Sequence, residues 1–206
     1  MTAVERHIAS LINIIFHPIC MPVYMMAIFL YCNDFTGGLV NEVLKQYVII
    51  FVGIATIFIP FTCYIVLRMV PLYKQSETRK VWAGIFACLM AVVFYAISRS
   101  FFSINMPDII VLFFVGNALL IFLCGMVSFF AKINFYAIGI GEIIALYMWF
   151  MRGGFAFDML FLLALLFAFG IIGWAQIIKS KSHAINYCLE AVIGGLFVLI
   201  ALGYLY

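Results

Sequence analysis

A few ionisable positions in this chain sit where such residues are costly. Glu142 falls at the middle of an apolar run, in Gly139-Ile140-Gly141-Glu142. Glu190 lies about two turns into another, in Cys188-Leu189-Glu190-Ala191, and His183 stands where Lys179-Ser180-Lys181-Ser182 meets that same run. An imidazole among cations can serve as nucleophile or as acid/base toward an anion; alternatively it makes an ordinary helix-start contact at an interface. A charge at mid-bilayer costs on the order of 3 kcal/mol or more, so each glutamate is expected to face the interior of a bundle. It would there form a polar cavity or a proton-linked site, or else a protonated carboxyl hydrogen-bonded to a helix carrying Asn117 or Gln176. The basic loop Lys74-Gln-Ser-Glu-Thr-Arg79-Lys80 offers a fork for phosphate oxygens. It reads equally as a topology signal touching lipid headgroups. His17 and Pro18, followed by Pro22 and Tyr24, are expected to kink a helix rather than to mark a site.

The elements that must position these residues follow from composition. Of 206 residues, 68% are hydrophobic and 9% charged, and seven stretches carry almost no charge. A soluble helix needs a polar face; a helix in lipid can be apolar all round, and about 20 residues cross the hydrocarbon. The spans are expected near 8–32, 47–67, 81–98, 109–131, 133–151, 159–178 and 184–205. Backbone groups in lipid must be satisfied within each segment, and the alternating polarity of a barrel is absent, so the fold class is all-α, a polytopic transmembrane bundle. One membrane domain over 1–206 is expected, with the first run a permanent span rather than a cleaved signal. The six cysteines lack CxxC spacing and read as small hydrophobes. Ala191, Gly194 and Gly195 make a small-residue face for close helix packing, and Trp82, Trp149 and Trp174 fit an interfacial belt. Neither metal, cofactor nor nucleic acid is called for; the partners are membrane lipids.

Sorting the cations gives an orientation. Arg6, Arg68, Lys74, Arg79, Lys80, Lys132, Lys179 and Lys181 fall on the side of the N-terminus, and only Lys45, Arg99 and Arg152 on the other. That excess places the N-terminus in the cytoplasm.

Three patches in order resemble the motifs of the type 2 phosphatidic acid phosphatase superfamily, which run KxxxxxxRP, PSGH and SRxxxxxHxxxD, in the looser form of a bacterial multi-pass branch. The first is Thr78-Arg79-Lys80-Val81-Trp82. The second is Lys132-Ile133-Asn134-Phe135-Tyr136-Ala137-Ile138-Gly139-Ile140-Gly141. The third is Gln176-Ile177-Ile178-Lys179-Ser180-Lys181-Ser182-His183, and the opening His17-Pro18-Ile19-Cys20-Met21-Pro22-Val23-Tyr24 also resembles that branch.

The resemblance implies a bacterial inner-membrane location and a metal-free phosphohistidine mechanism. His183 would attack the phosphorus of a lipid or isoprenoid phosphate, and Tyr136 would hold the place of the acid that protonates the leaving alcohol. Arg79, Lys80, Lys132, Lys179 and Lys181 would be the phosphate-binding cations. The chain departs from the pattern where Tyr136 replaces a histidine, Ile177 an arginine and Tyr187 an aspartate. A phenol titrating near pKa ~10 matches neutral-pH proton transfer poorly. The expectation is therefore a relative of lipid phosphate phosphatases that recognises or hydrolyses a phosphorylated lipid, with catalysis reduced or lost. The rival is a non-enzymatic carrier or assembly factor built around Glu142 and Glu190.

Overall fold

The computed structural model describes residues 3–31, 38–62, 65, 78–131, 133–152, 158–180 and 183–203. These include the α-helices α1 Ala3–Ile15, α2 Met21–Tyr31, α3 Glu42–Gly53, α4 Thr78–Ser103, α5 Asp108–Ser128, α6 Phe135–Arg152, α7 Met159–Ser180 and α8 Ala184–Gly203. Joined across their breaks, they give seven helices long and apolar enough to cross a membrane. The chain is an all-α polytopic bundle, with no strand among the described residues. The loop 68–77 falls outside them, as do Lys132 and Lys181 and the side chains of Arg79 and Lys80.

Both breaks sit at prolines. In the first span, Pro18 and Pro22 interrupt the hydrogen-bond ladder, and Pro18–Cys20 forms a 3-10 turn between α1 and α2. The bend is sharp. The Tyr24 hydroxyl donates to the Ile15 carbonyl at 2.7 Å, although the Cα atoms of two residues nine apart lie about 13.5 Å from each other along a straight helix, more than a tyrosine side chain spans. In the second span, Ile54–Phe58 widens into a π turn just before Pro60, which has no N–H to return. The hydroxyls of Thr56 and Thr62 bond backwards to Val52, Phe58 and Ile59 carbonyls, so the widened turn carries its own polar satisfaction.

Two helix pairs are the most closely packed, α4 with α5 and α6 with α8. The second is a backbone contact. A Cβ on Gly194 would come within 2.5 Å of the Ile138 carbonyl oxygen, one on Gly195 within 3.2 Å of the Gly141 oxygen, and one on Gly141 would collide with the Ala191 carbonyl. The small-residue face of Ala191, Gly194 and Gly195 thus meets Gly141 and seats α8 against α6. Glu142 and Glu190 each adjoin that crossing in sequence. Between α4 and α5, the Phe129 ring fills the space over Gly84, which puts the start of α4 beside the end of α5.

Candidate functional site

One end of the bundle is open. A cavity of about 570 Å³ lies between the α1–α2 break, α4, α5, α6, α7 and α8. His183 precedes α8, and its carbonyl accepts the Tyr187 N–H at 3.2 Å as the helix begins. Asn186 and Glu190 follow at helical spacing, so one face of α8 presents all three to the cavity. From α6 come Asn134 and Tyr136. Asn134 is the N-cap: its Oδ1 accepts the Tyr136 N–H at 3.1 Å, while its own N–H donates to Glu190 Oε1 at 3.2 Å. The residue that starts α6 therefore also ties α6 to α8 at the site, its side chain capping the helix and its backbone N–H meeting Glu190.

The α1–α2 break supplies His17. Its Nδ1 accepts the Ile19 N–H at 3.3 Å, which in a neutral ring leaves Nε2–H as the remaining donor. The ring stands edge-on to Tyr136, with centroids 5.7 Å apart. The proline break thus has two consequences: it kinks the span, as expected, and it carries a histidine to the cavity, which sequence reasoning set aside. Asn13, one turn earlier, closes the corner. Its backbone carbonyl accepts the Tyr136 hydroxyl at 3.1 Å, and its Oδ1 accepts Gln176 Nε2 at 2.7 Å. The opposite walls are apolar, formed by Pro22, Phe86, Met90, Phe94 and Ile121.

The expected site residues divide as follows. His183, Tyr136 and Glu190 line this cavity. Glu142 lines a smaller neighbouring one with Asn117. Lys179 is exposed on the last turn of α7 at the same end and does not line the cavity. Arg79 and Lys80 occupy the first turn of α4 at that end. Tyr187, at the aspartate position of the resembled motif, points elsewhere: it is buried against Gly173 and its hydroxyl donates to the Phe169 carbonyl at 3.1 Å, stapling α8 to α7. His17 was read as part of a kink and not as a site residue, and Asn13, Asn134 and Asn186 were not singled out. The N-cap pattern at Asn134 and the 3–4 spacing of 183, 186 and 190 were the available signals. Nothing local marks Asn13. Among the described residues no group of three or more His, Cys, Asp or Glu is placed to hold a metal.

No family model, no curated protein and no solved structure matches this chain.

Proposed function

We propose that the large cavity binds an amphiphile with a phosphorylated head, a lipid or isoprenoid phosphate. Its chain would lie against Phe86, Met90, Phe94 and Ile121, and its head at His183 and Asn186. One observation carries this reading: a single cavity near one end of the bundle joins a polar helix face to an apolar wall that runs inward. Its volume of about 570 Å³ falls in the usual range of ligand sites, roughly 300–1,000 Å³. Lys179 at the same end, with Arg79, Lys80, Lys132 and Lys181 on the adjoining segments, would supply the positive charge that a phosphate needs.

The finer proposal is hydrolysis. A nitrogen of His183 attacks phosphorus, the phosphorus–oxygen bond to the alcohol breaks, and the alcohol leaves with a proton; water then cleaves the phosphohistidine. Tyr136 is poorly placed to give that proton, because its hydroxyl already donates to the Asn13 carbonyl. His17, beside it, is the better donor. A second reading, a carrier or assembly factor without catalysis, is favoured by the same commitment of Tyr136 and by a carboxylate, Glu190, on the cavity wall.

The test is phosphate release by purified protein from a short-chain phosphatidate and an isoprenyl diphosphate. Turnover that His183→Ala abolishes supports hydrolysis. No turnover from a folded sample leaves binding alone. The second reading expects Glu142→Gln and Glu190→Gln to disrupt the cellular phenotype while His183→Ala does not.

A further inference from the structure

Glu142 is a buried acid that the lipid reading leaves unused. It lies at the middle of α6, 5% exposed, and no hydrogen bond joins its carboxyl to a described residue. It faces a cavity of about 60 Å³ where Asn117 is the one other polar side chain on the lining among the described residues. Asn117 is buried too; its Nδ2 donates to the Phe113 carbonyl at 3.1 Å, which leaves Oδ1 as an acceptor. The remaining walls include Met21, Met25, Phe113 and Ile138.

A carboxyl buried without a hydrogen-bond partner is costly, so the space calls for an occupant that hydrogen-bonds. A metal cation is a poor one. Hard cations take about six oxygens, whereas one carboxyl and one amide are on offer here. Water fits, at roughly 30 Å³ each, with the Glu142 carboxyl and the Asn117 amide both on the lining as polar partners. The small cavity shares Pro18, Pro22, Phe94, Ile121 and Phe135 with the large one, so the two are neighbours behind a common wall.

We propose that Glu142 is a proton-exchange site, its carboxyl carrying a proton that it trades with the large cavity through a short file of water held against Asn117. The ionisable groups around it are few. Cys124 on α5 is buried in a cluster with Ile138 of α6, and His17, Tyr136, His183 and Glu190 face the large cavity. No lysine or arginine lines either cavity among the described residues. Without a fixed cation, a proton is the charge-balancing partner that this pocket can admit. The inference depends on the two cavities alone and holds whatever amphiphile the larger one takes.

Infrared spectroscopy of the full chain in lipid nanodiscs tests it. A carboxylic-acid band is expected that Glu142→Gln removes and Glu190→Gln leaves. The band should shift promptly on transfer to deuterated buffer. Asn117→Leu, which fills and dries the small cavity, should keep the band and slow its shift by about tenfold, the scale of one lost hydrogen bond. Should the Gln variant fail to purify as a single species, Glu142→Asp moves the band instead of removing it. Absence of any band that follows residue 142, or a band that does not exchange over the life of the sample, overturns the proposal.

Discussion

The two ends of this bundle are built from the same helices and differ in almost everything else. At the end where α2, α4 and α6 finish, aromatic rings meet edge to face: Phe29 with Phe113 at 5.2 Å and with Phe150 at 5.4 Å, and Phe101 with Phe114 at 5.3 Å. Tyr147 there both donates to the Asp158 carbonyl and accepts the Asp158 N–H, each at 3.1 Å, while Asp158 Oδ1 caps α7. Lys45 pairs with Glu42 and sits over the Tyr31 ring. Polar groups at this end are matched locally, and the rings fill the space between. At the other end the polar side chains reach across helices, Glu190 to the Asn134 backbone, Tyr136 to Asn13 and Gln176 to Asn13, and enclose a void. Filling one end holds the helices together, which lets the other end stay open without the bundle falling apart.

Substitutions can break or sharpen that contrast. The largest effect is expected at the seam that serves both ends. Gly141→Val drives a side chain into the Ala191 carbonyl and should cost about 3 kcal/mol or more, read as loss of monodisperse protein. Gly170→Val, where a Cβ meets open space, should stay within about 0.5 kcal/mol on the same scale. Next comes the filled end: Phe29→Ala removes a ring with no exposure and should cost about 3–5 kcal/mol in unfolding, with ligand binding at the other end unchanged in the surviving fold. Tyr147→Phe should cost about 1–2 kcal/mol for the two bonds to Asp158. Apart from the Gly170 control, the smallest effect is expected from Tyr136→Phe. It removes one hydrogen bond, about 1 kcal/mol, and should lower any phosphate release by less than about tenfold, whereas a true general acid would cost about a hundredfold or more.

The bundle was legible in the sequence because lipid imposes one demand throughout: long apolar runs and no unsatisfied backbone. The face of Ala191, Gly194 and Gly195 was legible for the same kind of reason, since only small residues let helix backbones touch. The site was legible in part. His183 and Glu190 stand out as polar residues in or beside apolar runs, and each lines the cavity. His17 did not stand out, because a proline next to it accounts for the local sequence by kinking alone. That the kink also swings an imidazole against Tyr136 depends on where α6 sits, more than a hundred residues further along the chain. Asn13 is still less visible, since half of its contribution is a backbone carbonyl that any residue would supply. Tyr187 shows the converse: motif position placed it at the site, while packing against Gly173 turned it toward α7.

The most direct test of the open end as an amphiphile site is photo-crosslinking with a long-chain alkyl phosphate that carries a diazirine in its chain, followed by mapping of labelled peptides. Labelling is expected on the Phe86–Phe94 stretch of α4 and around Ile121 on α5. It should be competed by unlabelled alkyl phosphate and weakened by His183→Ala. Labelling confined to the lipid-exposed face of α7 around Leu160 and Phe167, unaffected by competitor, would contradict it.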